Sequence, residues 1–300
     1  MKAVESIPMP RRRALTRDTV ATAALHLLAG FILLILVGFV GYIAVSAISD
    51  FHPEMLSFSP EGIGNQLFNT VYLVFLSLLF SVPLGIGAGI YLAEYTSSGV
   101  IQKVLRVSIE TLSSLPSIVV GLFGYLVFII MTGSQWNLMA GALSVSVLTL
   151  PLVATITEDA FRALPVGYSK GSYGLGATKW QTIRHVLLPA AYPAIITGIV
   201  LAAGRVFGEA AALMFTAGMS TDINWASTDI TSPTNAFNPF RPGETLALQI
   251  WASRSEALDP NAGAMANLSA LILLLLVFSF SIGARALSRY LTRKNMGAGD

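Results

Sequence analysis

From Thr111 to Thr157 the chain contains no Asp, Glu, Lys or Arg. Soluble domains carry roughly 25% charged residues, so a run of this length without one belongs in a bilayer. It accommodates two membrane helices of about 20 residues each. They are placed at about Leu112 to Met131 and Leu138 to Thr157, with Gly133-Ser134-Gln135-Trp136-Asn137 as the turn. The whole chain agrees, with 54% hydrophobic and 11% charged residues and a mean hydropathy of +0.69 over 300 residues.

Four further spans complete the reading. The first covers Thr19 to about Ile48, preceded by Arg11, Arg12, Arg13 and Arg17. A cleaved signal peptide ending at Val45-Ser46-Ala47 is the competing reading, but the apolar run far exceeds an h-region of about 7–15 residues. A retained helix with an arginine anchor is expected, not a nucleic-acid patch. A polar loop, Asp50 to Gln66, holds Pro53, Pro60, Asp50, Glu54 and Glu61. The second span, about Leu67 to Ala93, carries Pro83, Gly85, Gly87 and Gly89 and ends with Tyr91 and Tyr95 at the interface. The fifth and sixth lie at about Ala190 to Gly218 and Ala262 to Leu287. The expected organisation is a tail at 1–18, a membrane domain at 19–290 containing a cytoplasmic loop at 158–189 and an outer loop at 219–261, and a tail at 291–300.

Charge sets the orientation. One side receives Lys2, Arg11, Arg12, Arg13, Arg17, Lys103, Arg106, Arg162, Lys170, Lys179, Arg184, Arg285, Arg289, Arg293 and Lys294; the other receives Arg241 and Arg254. Both termini and the 158–189 loop are therefore expected in the cytoplasm. The absence of cysteine excludes disulfides and thiolate metal sites. His26, His52 and His185 are too scattered for a metal site, and no catalytic constellation stands out within the spans. The chain has no Gly-x-x-x-x-Gly-Lys-[Ser/Thr] loop with which to bind ATP.

The polar island Glu158 to Pro189 has helical character, because Trp180, Ile183 and Leu187 recur at helical spacing while Gln181, Thr182 and Arg184 face elsewhere. Gly174 and Gly176 permit a turn between two short helices, and Pro189 suits the start of the next one. Arg205 is the basic residue left inside a span, about 20 Å from Ala190 at ~1.5 Å per residue. Burial of Arg there costs at least ~2.5–3.5 kcal/mol, so it requires a partner or an aqueous path. With Glu209 one turn on, two readings stand: a structural ion pair, or a guanidinium offered to an oxyanion. Gly204 and Gly208 suit either close helix packing or close substrate passage. Arg162, one turn after Glu158, either pairs with it or guards a cytoplasmic exit. In the outer loop Trp225, Phe237, Phe240, Leu246, Ile250 and Trp251, with the acids Asp222, Asp229, Glu244, Glu256 and Asp259, form either a lid on the bundle or a docking face.

The island resembles the signature loop of ABC-importer permeases: Glu-Ala-Ala, three residues, Gly, nine residues, Ile-x-Leu-Pro. Gly176 stands at the glycine and Val186-Leu187-Leu188-Pro189 at the end, while Lys170-Gly171-Ser172 replaces Glu-Ala-Ala. Further segments resemble phosphate-importer permeases of the PstA type. These are Tyr91-Leu92-Ala93-Glu94-Tyr95, Leu115-Pro116-Ser117-Ile118-Val119-Val120-Gly121-Leu122-Phe123, Gly204-Arg205-Val206-Phe207-Gly208-Glu209-Ala210-Ala211 and Thr245-Leu246-Ala247-Leu248-Gln249-Ile250. The resemblance implies an all-α polytopic membrane protein of six transmembrane helices with the type I ABC-importer permease fold, a non-catalytic pore subunit in a bacterial inner membrane. It implies Arg205 and Glu209 on the phosphate pathway, with Ser113, Ser114 and Ser117 as candidate neutral donors. Lys170, Gly171, Gly176, Ala177, Thr178, Lys179 and Trp180 are then expected to meet an ATPase. The implied partners are a second, PstC-like permease, PstB-like subunits that bind ATP with magnesium, and a phosphate-binding solute protein, with lipid around the spans and no nucleic acid. Permeases for phosphonate or molybdate remain open within this class, and a self-sufficient secondary transporter or channel outside it.

Overall fold

A computed structural model describes residues 12–59, 62–96, 99–255 and 261–296. Lys2, Arg11, Pro60, Glu61, Glu256 and Asp259 lie outside the described residues, as do the side chains of Arg12, Arg13, Arg293 and Lys294. Two units are distinguished, residues 1–50 and 51–300. The first holds α1 (Arg12–Ser49), most of whose described Leu, Ile, Val and Phe side chains are exposed, as befits a helix whose solvent is hydrocarbon.

The second unit is helical, with one isolated β-bridge, Asn224 to Asn235, among its described residues. Its elements are α2 (Gly64–Ile90, extended by a π turn at Tyr91–Tyr95), α3 (Val100–Ser114), α4 (Ser117–Tyr125, with a π turn at Leu126–Ile130) and α5 (Leu138–Arg162). There follow α6 (Val166–Gly174), α7 (Lys179–Thr182), α8 (Leu188–Phe207), α9 (Ala211–Thr216), α10 (Leu246–Ser255) and α11 (Ala262–Met296). Among the described residues five helices are long and apolar enough to cross a membrane, and six crossings result if the bent pair α3–α4 counts as one.

That bent pair corrects the expected single helix at about Leu112 to Met131. The two halves meet at 98°. Leu115 is extended (φ −66°, ψ 133°) because the ring of Pro116 disfavours helical backbone in the residue before it. The fifth span is corrected too. It ends at Phe207, Gly208 leaves helical geometry, and the separate short helix α9 follows. At its other end Pro189 marks no boundary. Residues Lys179 to Phe207 form one continuous helix, widened by a π turn at Ile183–Leu187 just ahead of the proline.

Helices α2 and α5 form the centre. Ser77 Oγ lies 3.4 Å from Ser146 Oγ, Gly85 packs on Val153 and Gly89 on Thr157. The two therefore run in the same direction, as spans separated by one in-and-out crossing must. A Cβ on Gly89 would sit 2.5 Å from Thr157 Cβ and 2.6 Å from Ala154 O, so this Gly-xxx-Gly pair is what lets the helices approach. Leu73, Val74, Val145, Leu148, Val206, Phe207 and Leu213 pack in the main core. Gly89→Val should destabilise the detergent-solubilised protein by ~1–3 kcal/mol, read as a lowered thermal midpoint. Gly204→Ala, whose Cβ would meet nothing within 4 Å, should leave the midpoint unchanged.

Candidate functional site

Along α8 one face is left uncovered by this chain: Ala190, Ala194, Thr197, Leu201, Arg205 and Gly208 are all exposed, at spacings of three and four residues. The opposite face, Ala191, Ile195, Ala202, Ala203 and Val206, is buried. Arg205 makes no hydrogen bond or ion pair with any described residue; the two ion pairs found join Glu158 to Arg106 and Arg162. Gly204 and Gly208 meet no neighbouring helix, so the close-packing reading of that pair does not hold within the chain.

Glu209 departs from expectation. The end of α8 at Phe207 takes it off the face that carries Arg205, and it is buried with Oε1 accepting the Ala212 amide at 3.0 Å. It caps α9 instead of neutralising Arg205, so the ion pair, one of the two readings of these residues, does not form. Helix α9 packs on α4, where Gly121 allows the Ala212 backbone to come close. The bend at Leu115–Pro116 joins the same region, with Leu115 packed against the cluster that holds Val206, Phe207 and Ala212. Of the three serines there, Ser114 Oγ is spent on Thr111 O at 2.8 Å. Ser113 is exposed and Ser117, half-buried, opens α4.

The polar island is two helices joined by a tight cap. Gly176 takes φ +84°, its amide donates to Tyr173 O and that of Ala177 to Ser172 O, which closes α6 with a Schellman motif. Thr178 and Gln181 form a capping box on α7. Ser172 Oγ and Thr182 Oγ1, 2.9 Å apart, tie the helices together. Lys170, Gly171, Thr178 and Trp180 are exposed and Ala177 is half-buried. Leu175, at 90% exposure, and Trp180 present bare apolar surface. Lys179 points back into its own chain, donating to Glu94 O with its ammonium 4.7 Å from the centre of the Tyr95 ring.

Glu158 is buried between two guanidiniums, Arg106 Nη2 at 2.6 Å and Arg162 Nε at 2.8 Å, and Arg162 also donates to Leu92 O. The pairing reading of Arg162 is the one observed, with Arg106 as an unforeseen third member. Arg241, which entered the sequence reading only through the charge asymmetry, has a structural role that reading did not foresee. It is fully buried, donating to Ala236 O, Pro242 O and Asn69 Oδ1, and burial lowers its pKa to about 10. Its setting, a cation on the sparsely charged side between Pro239 and Pro242, was the available signal. Trp225 packs edge-on against Phe58 and Phe68, and Phe237 against Phe68. That part of the outer loop is therefore a lid over the end of α2.

Glu244 completes the lid. Gln66 Nε2 donates to Glu244 Oε2 at 3.1 Å, and turning the Gln249 amide towards it adds a donor at 2.6 Å. Burial nevertheless raises its pKa from 4.5 to about 7. A raised carboxyl favours folding below the unfolded value and loses that contribution as pH rises through the folded one. The protection factors of the amides at Leu246–Gln249, taken relative to the intrinsic exchange rate at each pH, should therefore be larger at pH 5 than at pH 8, and Glu244→Gln should flatten the difference.

Comparison with known proteins fits this geometry. The family model described as "Binding-protein-dependent transport system inner membrane component" matches residues 85–294. The "Probable ABC transporter permease protein YqgI" of Bacillus subtilis is 41% identical over 92% of this chain and 97% of its own length. The "Phosphate transport system permease protein PstA" of Xylella fastidiosa is 33% identical over 75% of this chain and 74% of its own. Among solved structures, the MetNI methionine ABC transporter in an inward-facing conformation aligns with a TM-score of 0.58 at 17% identity, over 81% of this chain and all of that one.

Proposed function

The chain belongs to the inner-membrane components of binding-protein-dependent transport systems, a permease of an ABC transporter, and we propose that its cargo is inorganic phosphate. The observation that carries this reading is Arg205, a guanidinium with no partner among the described residues, on the uncovered face of α8. A planar fork of donors matches a tetrahedral oxyanion. A cation inside a span that finds no counter-charge at home is expected to face a water-filled path or a passing anion. The 33% identity to a protein described as a phosphate permease supports the same cargo. Glu209 serves the site by capping α9 and thereby shaping the end of α8, and Ser113 and Ser117 supply neutral donors near the bend. A second permease completes the path across the face that this chain leaves bare.

Both termini and the island lie in the cytoplasm, following the charge asymmetry. There Leu175, Ala177 and Trp180 dock an ATPase subunit, which binds ATP with magnesium. Lys170, where the signature has an acid, remains exposed to that subunit. Because α7 runs into α8 without a break, a push on Trp180 is transmitted as a movement of Arg205, roughly 40 Å along the helix. ATP-driven closure and release of the ATPases thus alternate the path between two arrangements, and a solute-binding protein delivers phosphate from outside.

Arg205→Gln should lower phosphate uptake by the assembled transporter about 10–100-fold, the worth of one or two hydrogen bonds to a charged group, while the complex is recovered intact. Uptake at the wild-type rate would remove the substrate role. Phosphonate and molybdate added as competitors test the cargo. Ala177→Trp should reduce co-purification of the ATPase several-fold, and unchanged recovery would place the docking surface elsewhere.

A further inference from the structure

Two turns from Arg205 towards the start of α8, a cleft of about 210 Å³ opens between α8 and α11. Its apolar wall comes from Pro193, Val200 and Leu201 of α8; its polar wall comes from Thr197 and, across the cleft, from Arg285 and Arg289 of α11. The two arginines are one turn apart and therefore share a face, and each is exposed. Neither α8 nor α11 contains an Asp or Glu, so no carboxylate from either helix is available to neutralise them. Like charges at this spacing repel by a few tenths of a kcal/mol, a cost that an anion lodged between them removes. Two other clefts differ in kind: one lined by Val71, Phe75 and Phe280 and one by Leu112, Val119 and Phe123 are wholly apolar in their linings.

We propose that this cleft is a binding site for a phosphoryl group, held by Arg285 and Arg289 against the apolar wall of α8. Helices α8 and α11 are antiparallel neighbours, with Phe207 edge-on to Phe280 at one end and Thr197 facing Arg289 at the other. The cleft thus lies at the end of the pair opposite to Arg205. Thr197 and Leu201 belong to the same exposed stripe of α8 as Arg205, so the three guanidiniums border one continuous surface. Arg106 and Arg162 offer no comparable site, since both are engaged by Glu158. Two sources of the group share this chemistry. One is phosphate leaving the path, which rests on the function proposed for Arg205; the other is the headgroup of an anionic phospholipid, with its chains along Pro193 and Leu201, which does not. Basic pockets between membrane helices near the cytoplasmic surface are suited to such headgroups.

The test uses the whole transporter with R285Q/R289Q, and Lys103→Gln as a control for loss of an exposed charge on another helix. The complexes are reconstituted in nanodiscs of phosphatidylcholine containing a minor share of phosphatidylglycerol. Retained lipid is read by native mass spectrometry, and uptake of inorganic phosphate is measured in liposomes of phosphatidylcholine alone. Loss of retained phosphatidylglycerol by about tenfold in the double variant, but not in the control, assigns the headgroup. Loss of uptake with lipid retention unchanged assigns the travelling anion. Lipid retention and uptake both equal to wild type would overturn the site. The lipid measurement does not involve Arg205, so failure of the phosphate pathway and failure of this cleft give different results.

Discussion

Hydrocarbon offers a backbone no hydrogen bonds, so a helix can be interrupted inside a membrane only where protein covers the break. This chain interrupts two spans, at Leu115–Pro116 and at Gly208–Ala210, and packs the resulting short helices on each other. Gly121 removes the side chain that would hold α4 away from Ala212, and Glu209 satisfies an amide at the start of α9. The breaks thus stabilise one another. They also leave the end of α8, with Arg205 on its outer face, projecting beside non-helical backbone of the kind that membrane transport sites use.

The rest follows from what α8 is attached to. The capped turn at Gly176 and the capping box at Thr178 make the island a defined shape. Its second helix is the first turn of the membrane helix itself. Lys179, bound to Glu94 O and stacked over Tyr95, joins that lever to the end of α2. Glu158, clamped by Arg106 and Arg162, joins α3 to α5 at the end of the bundle that carries the island. At the other end Arg241 and Glu244 hold the lid to α2. Buried ionic groups of this sort are costly to strand without partners, so each of these contacts ties its helices together.

Hydropathy sufficed to place the apolar segments approximately, because the signal is summed over some 20 residues. The turn at Gly176 was legible for a different reason: a positive φ leaves few residues besides glycine. The breaks were not. Leu115-Pro116 has the pattern of an interrupted helix, yet nothing local separates a proline that kinks, as Pro83 and Pro151 sit inside intact helices, from one that ends a helix. Spacing put Glu209 beside Arg205 on the assumption of unbroken helix, and a single residue out of register at Gly208 voided it. Arg241 and the pair Arg285 and Arg289 counted in the sequence only as charges on one side or the other, because their settings depend on α2 and α8, distant in sequence.

The central claim is that the uncovered face of α8 meets water and the transported anion. The chain has no cysteine, so one introduced thiol reports on one place. In the assembled transporter, Leu201→Cys should react with a membrane-impermeant thiol reagent in at least one of the nucleotide-free and ATP-bound states. Inorganic phosphate should slow that reaction, while Val206→Cys on the buried face stays unmodified. If Leu201→Cys is inert in both states, or reacts at a rate indifferent to phosphate, the face is sealed from the pathway and the account fails.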